Sequence, residues 1–96
     1  MQKEEVLDIL SHYRAVLKGF GVKSLAIFGS VARDEAGAGS DVDILVEFYK
    51  PVGLFELAEL KEYLESVLGK RVDLVTPGAL RPQMRDQIMR EAVLAA

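Results

Sequence analysis

The sequence contains no cysteine and only one histidine, His12. Without cysteine the chain can form neither a disulfide framework nor a thiolate metal site. His12 has no second histidine or cysteine with which to share a metal ion, so we interpret it as a surface residue of a helix. The disulfide-rich and zinc–thiolate classes of protein are therefore excluded.

The sequence also lacks a long apolar run and an excess of basic residues. No apolar run approaches the ~20 residues that span a bilayer, and the chain begins with a charged amphipathic segment rather than a signal peptide. The net charge is −3, so a large nucleic-acid interface is not expected. We expect a single domain over residues 1–96, in the cytoplasm and without a membrane partner.

Apolar residues recur at helical spacing in some segments and form short continuous or alternating runs in others. The pattern predicts a helix over 3–18, a strand over 24–28, a short helix over 31–36 capped by Ser30, a strand over 41–48, a helix over 54–68, a strand over 71–76 and a helix over 82–95. On the last helix, Met84, Ile88, Ala92 and Val93 are expected to face inward. This order predicts an α/β sandwich around a small mixed sheet of three or slightly more strands.

The connections between the predicted strands indicate their directions. The segment between the first two strands is too short for a long crossover helix, so these strands are expected to be antiparallel. A full amphipathic helix separates the second and third strands, which allows them to be parallel. In the second strand, the odd-numbered residues 41–47 share one face and the even-numbered residues 42–48 share the other.

Gly29 and Ser30 interrupt the chain directly after the first predicted strand. Glycine allows a phosphate to approach the backbone, and the N–H groups and hydroxyl at a helix N-terminus can face that phosphate. The same two residues also suit an ordinary strand-to-helix turn, and the Gly-Lys-Ser/Thr ending of a Walker loop is absent. Arg33 is interpreted as a scaffold residue that pairs with Glu35 or Asp41, with phosphate binding as the alternative.

Three aspartates stand in or beside predicted strands, where aspartate is depleted. Asp41 and Asp43 point to the same side about 6.5 Å apart, and Asp73 can join them if the second and third strands pair. Clustered carboxylates repel one another, and oxygen-only ligation suits Mg²⁺ or Mn²⁺. An Asp-x-Asp pair alone also fits a solvated strand face, but a third aspartate inside an apolar run favours a magnesium–nucleotide site.

Together these features resemble the nucleotidyltransferase superfamily that includes DNA polymerase β. The residues that carry the resemblance are Gly29-Ser30-x-x-Arg33, Ser40-Asp41-x-Asp43 and Asp73 on a later strand. The segments Gly53-Leu54-Phe55 and Val72–Thr76 are similar to the minimal nucleotidyltransferases, or MNT domains, of the antitoxin type. The likeness covers nearly the whole chain, from the strand at Ser24 to the segment that ends at Val93.

The resemblance implies a set of residue roles and a reaction. Catalysis and the binding of two Mg²⁺ ions are implied for Asp41, Asp43 and Asp73, and contact with the triphosphate of ATP for Gly29, Ser30 and Arg33. The implied reaction transfers AMP to a protein hydroxyl, and Asp73 assists deprotonation of that hydroxyl. The implied partner is a HEPN-domain toxin, to which the MNT protein is the antitoxin, and a homodimer is also expected.

One residue departs from the family pattern, and two other functions compete with the implied one. Asp34 stands where the family often has glycine, so we expect it to shift the loop or to disfavour a triphosphate. The first competing function is a non-catalytic antitoxin, which neutralises its partner by binding, with the apolar side chains of the last helix as the docking surface. The second is an aminoglycoside-type nucleotidyltransferase, which ranks last because such enzymes add a domain or a dimer partner.

Overall fold

The computed structural model describes the whole chain, Met1–Ala96. Its elements in chain order are α1 (Lys3–His12), α2 (Arg14–Gly19), β1 (Val22–Phe28), α3 (Gly29–Ala32), β2 (Val42–Phe48), α4 (Leu54–Leu68), β3 (Val72–Val75), a 3-10 turn (Pro77–Ala79), α5 (Pro82–Glu91) and β4 (Val93–Leu94). No helix combines the length and the apolar composition that crossing a membrane requires.

The four strands form one mixed sheet in the order β3-β2-β1-β4. β1 pairs antiparallel with β2 on one side and with β4 on the other, whereas β2 pairs parallel with β3. The predicted α/β class and the directions of the first three strands are therefore confirmed. The parallel pair matters most for function, because it brings the beginnings of β2 and β3 to the same edge of the sheet.

The two faces of the sheet are covered unequally. One face carries a core of 15 buried residues, to which α1, α2 and α4 contribute together with alternate residues of β2 from Val42 to Val46. The other face carries a core of only three buried residues, Phe28, Leu45 and Ile88, the last of them on α5. The predicted alternation along β2 is thus confirmed, and the odd-numbered face is the thinly covered one.

The predicted helix bounds are confirmed for α4 and wrong at the N-terminus. α4 spans Leu54–Leu68, and it ends at Gly69, whose φ of 67° is a left-handed conformation that glycine adopts without strain. The segment predicted as one helix over 3–18 is instead two helices. They separate at Tyr13, where φ −98° and ψ 17° depart from helical values.

The end of the chain also differs from the prediction. α5 stops at Glu91, and Val93 and Leu94 leave the helix to pair with β1. The apolar run there fits a helix as well as a strand, and the unpaired edge of β1 decides the outcome. Met84, expected to face inward, is 50% exposed, whereas Ile88 is buried as predicted.

Candidate active site

The short helix after β1 begins two residues earlier in the chain than predicted. α3 spans Gly29–Ala32 rather than 31–36, and its N-cap is Phe28 in an extended conformation. Ser30 therefore lies inside the helix and is not its cap, which corrects the sequence interpretation. None of the side-chain hydrogen bonds within the chain involves the Ser30 hydroxyl.

Gly29 packs directly against the carboxylate of Asp43. In the antiparallel ladder Phe28 is the register partner of Asp43, so the next residue turns over the Asp43 side chain. Gly29 has φ 70°, and a Cβ at this position would collide with the Asp43 carboxylate. Glycine satisfies both the left-handed backbone and the lack of space, whereas a larger residue would have to displace the Asp43 carboxylate. The result is bare backbone beside a carboxylate.

Asp73 lies on the other side of Asp43. The two are register partners in the parallel pair of β2 and β3, so their side chains project from the same face of the sheet. Asp43 is half-buried and Asp73 is exposed. Burial raises the pKa of Asp43 above its ordinary value, the charges of Asp73 and Asp41 raise it further, and nearby Arg33 partly opposes them. Asp43 is thus the central carboxylate of the three, and its negative charge is disfavoured by burial and by its acidic neighbours.

Asp41 lies just before β2, at the solvent edge of the same group. Its side chain is exposed and forms a long ion pair with Arg71, with 3.8 Å between Oδ1 and Nε. Such an exposed pair contributes little to stability. Asp41 is therefore free to reorient, and its charge is close enough to Asp43 to raise the pKa of that residue.

The three aspartates suit a divalent cation chemically, although they do not form a closed set of ligands. No group of three acidic or histidine side chains converges on one point in the chain. The donors are all carboxylate oxygens, the set that Mg²⁺ prefers over softer ligands. Charge repulsion at Asp43 is the condition that a bound cation would relieve. The chemistry of these three residues therefore fits Mg²⁺, but they would need further ligands to enclose it.

Arg33 connects the turn to the end of the chain. Its Nε donates to Glu35 at 3.0 Å, and its second bond, through a terminal guanidinium nitrogen, goes to Glu91 at 3.2 Å. Pairing with Glu35 was one of the two predicted arrangements, and Asp41 is not a partner. Glu91 on α5 was missed, because nothing in the sequence links two residues 58 positions apart.

Asp34 is the residue that we predicted to depart from the family pattern. Its carboxylate is hydrogen-bonded to the N-terminus of α1. Its φ of 57° makes it the only residue other than glycine with a positive φ. Its Oδ1 accepts a hydrogen bond from the backbone N–H of Lys3 at 3.0 Å. The left-handed backbone explains why glycine suits this position, and the hydrogen bond accounts for the direction of the larger side chain.

The largest concavity of the molecule lies elsewhere. It measures about 560 Å³ and is lined by residues 46–52, which include the last three residues of β2, and by residues 76–78, which follow β3. None of the predicted site residues lines it. Three large side chains that stand in or shortly after this loop are strongly exposed: Tyr49 by 69%, Leu54 by 84% and Phe55 by 87%.

Comparisons with known proteins identify the family and the fold of the chain. The family model described as a nucleotidyltransferase domain matches residues 4–95. The protein adenylyltransferase MntA of Thermococcus cleftensis is 44% identical over 91 residues, which cover 94% of this chain and 92% of that protein. A solved structure of a candidate minimal nucleotidyltransferase is 39% identical and superposes with a TM-score of 0.84, covering 97% of this chain and 95% of that chain.

A more distant solved structure shares the fold alone. It contains the tri-AMPylated HEPN toxin of Shewanella oneidensis in complex with an MNT antitoxin. The matched chain is 19% identical and superposes with a TM-score of 0.67, covering 94% of this chain and 71% of that chain. The arrangement of helices and sheet is therefore retained where most of the sequence is not.

Proposed function

The chain belongs to the nucleotidyltransferase domain family, and on this premise we propose that it transfers AMP from ATP to a hydroxyl group of a partner protein. The observation that carries the proposal is the position of Asp43, between the bare backbone of Gly29 and the carboxylate of Asp73. A phosphate can approach the glycine on one side, and an attacking hydroxyl can approach Asp73 on the other.

The turn and Asp73 have different tasks in the proposed reaction. The turn at Gly29 and Ser30 binds the triphosphate through backbone and hydroxyl groups. Asp73, the exposed member of the register pair, accepts the proton of the acceptor hydroxyl. The hydroxyl oxygen then bonds to the α-phosphorus, the bond from that phosphorus to the bridging oxygen breaks, and pyrophosphate leaves.

Asp41, Asp43 and Asp73 are the residues that would hold Mg²⁺. When bound, the metal neutralises charge on the phosphates and aligns the reacting groups. Asp43 contributes to this binding through its rigid strand position, whereas Asp41 must leave its long pair with Arg71. Arg33 is held by Glu35 and Glu91, which supports the scaffold role and makes phosphate binding its secondary role.

The proposed partner is a HEPN-domain toxin, with the present chain as its antitoxin. The relative from Thermococcus cleftensis is named a protein adenylyltransferase, which suggests a protein as acceptor. The Shewanella oneidensis complex joins an MNT antitoxin to an AMPylated HEPN toxin, which suggests the class of that protein. AMP transfer to a toxin hydroxyl would add bulk and negative charge at the modified residue.

The proposal is tested by labelling proteins with α-³²P-ATP and Mg²⁺ in a lysate that contains the HEPN partner. Wild type should label one protein band, and Asp41→Asn, Asp43→Asn and Asp73→Asn should each abolish the band. Asp8→Asn is the matched control, because Asp8 is exposed on α1, on the other side of the sheet. Equal labelling by wild type and the site variants would contradict the proposal.

A non-catalytic antitoxin is the alternative, and the exposed apolar side chains favour it. Tyr49, Leu54 and Phe55 are the most exposed large side chains near the main cavity, while Met84 and Met89 on α5 are about half exposed, at 50% and 48%. The discriminating variant carries all three aspartate substitutions. If that variant still neutralises the toxin, binding alone explains the antitoxin activity; if it binds the toxin but fails to neutralise it, transfer is required.

A further inference from the structure

The turn that carries the proposed nucleotide-binding residues contains three backbone hydrogen bonds of its own. The N–H groups of three consecutive residues, 33–35, donate to carbonyl oxygens of residues 29–31 at distances of 2.8–3.2 Å. Residues 29–35, here named the glycine–serine turn, therefore form one compact unit. The N–H of Glu35, the neighbour of Asp34, donates to the Ser30 carbonyl at 2.8 Å, so a hydrogen bond links the two ends of the turn.

Two side-chain restraints hold this unit to the rest of the protein. Arg33 ties it to α5 through Glu91 at 3.2 Å. Asp34 ties it to α1 through the Lys3 N–H at 3.0 Å. Since α1 packs in the large core and α5 in the small one, the two restraints come from opposite layers of the fold.

The bond from Asp34 to α1 is physically well matched. The first N–H groups of a helix have no partner within the helix, and the positive end of the helix dipole favours a carboxylate. Gln2 N–H is already bonded to Glu5 at 3.2 Å, and Asp34 provides the acceptor for the next N–H. Aspartate also tolerates a left-handed backbone better than most residues, which lowers the cost of φ 57°.

We propose that Asp34 is a positioning residue that fastens the glycine–serine turn to the N-terminus of α1 and thereby supports nucleotide binding. The contribution to nucleotide binding rests on the proposed function, whereas the restraint on the turn does not. On this view the negative side chain does not face the triphosphate. It holds the turn against α1 by accepting the hydrogen bond from the Lys3 N–H.

Three variants separate the hydrogen bond from the backbone conformation. Asp34→Gly removes the carboxylate and relieves the left-handed backbone, so it loses the bond without added strain. Asp34→Asn keeps both the acceptor oxygen and tolerance of a positive φ, so it should rescue the restraint. Lys3→Pro removes the donor instead. Lys3 is the first residue of α1, where proline is favoured, and Gln2 has φ −90° and ψ 159°, which suit a residue before proline.

The first measurement is amide hydrogen exchange of residues 30–35 by NMR in the ligand-free protein. Asp34→Gly and Lys3→Pro should each speed exchange in the turn by about three- to fivefold, the effect of losing one exposed hydrogen bond. The double variant should exchange no faster than either single variant, and Asp34→Asn should exchange as wild type does. Unchanged exchange in both single variants would overturn the proposed restraint.

The second measurement is the Kd for the ATP analogue AMP-PNP with Mg²⁺. The same two variants should weaken binding about three- to fivefold, and Asp34→Asn should stay within about twofold of wild type. Faster exchange with an unchanged Kd would overturn the link to nucleotide binding. If wild type itself does not bind, the proposed function and that link both fail, while the exchange data still decide the restraint.

Discussion

The two faces of the sheet use neighbouring residues of β2 for opposite purposes. Ile44 is completely buried in the 15-residue core, whereas Asp43, one position earlier, points to the face with only three buried residues. The larger core holds 15 of the 18 buried residues, so the repelling carboxylates lie on the face that contributes fewer buried side chains. A small α/β domain can thus place most of its buried core on one side of a strand and its candidate site on the other.

The largest expected effect comes from truncating a buried side chain in the 15-residue core. Ile44→Ala should lower the free energy of unfolding by about 4 kcal/mol, because it leaves a cavity in the larger core. Leu45→Ala should cost less, about 2 kcal/mol, because its smaller core can collapse around the gap. Urea unfolding monitored by circular dichroism measures both. Equal losses would show that the two faces contribute alike.

An intermediate effect is expected at Gly29, whose backbone packs against the Asp43 carboxylate. Gly29→Ala should reduce AMP transfer at least about tenfold, the effect of about 1.4 kcal/mol, since its Cβ displaces the Asp43 carboxylate. It should also cost about 1–2 kcal/mol of stability through its left-handed backbone.

Gly69→Ala is the matched control for this substitution. Gly69 has φ 67°, close to the φ of 70° at Gly29, but no atom lies within 4 Å of its added Cβ. The two variants should therefore lose similar stability, and only Gly29→Ala should lose transfer. Equal loss of transfer in both would show that backbone strain, rather than contact with Asp43, is responsible.

The smallest expected effect is a gain in stability when Asp43, on the thinly covered face of the sheet, is replaced by Asn. The pKa of Asp43 is raised, so the folded protein holds this proton more tightly than the unfolded chain does. Wild-type stability should then fall as pH rises from the unfolded value near 3.9 through the raised folded value. Asp43→Asn carries no such charge, so it should have the higher Tm at neutral pH.

Because water screens this open site, the difference in Tm should be on the order of 2 °C. It should disappear below about pH 4, where Asp43 is protonated in both states. Millimolar Mg²⁺ should raise the Tm of wild type more than that of Asp43→Asn. Thermal unfolding followed over a pH series, with and without Mg²⁺, measures the difference in Tm, its loss at low pH and the effect of Mg²⁺. A Tm of wild type above that of Asp43→Asn at neutral pH without Mg²⁺ would contradict the repulsion.

Local patterns along the chain predict most of this fold, because they depend on neighbouring residues. The alternation in 42–48 predicts the two faces of β2, and a short or helical connection predicts the directions of the first three strands. β4 could not be predicted in this way. Val93 and Leu94 extend an apolar helical pattern, and only the free edge of β1, far away in sequence, makes them a strand.

In the candidate site too, local sequence patterns predict some features and not others. Gly29, Ser30 and the three aspartates stand out by residue type and spacing, and the structure brings Gly29, Asp43 and Asp73 together. The bonds from Arg33 to Glu91 and from Asp34 to Lys3 join residues 58 and 31 positions apart. A single sequence contains no signal for such pairs, so the restraints on the turn emerge only from the folded chain.

The most direct test of the proposed chemistry compares two positions of the label in ATP. The purified protein is incubated with its HEPN partner and Mg²⁺, once with α-³²P-ATP and once with γ-³²P-ATP. Nucleotidyl transfer predicts that the partner is labelled from the α-phosphate only, and that Asp43→Asn abolishes the label. Label from the γ-phosphate, or no label on a partner that the protein binds and neutralises, would contradict the account.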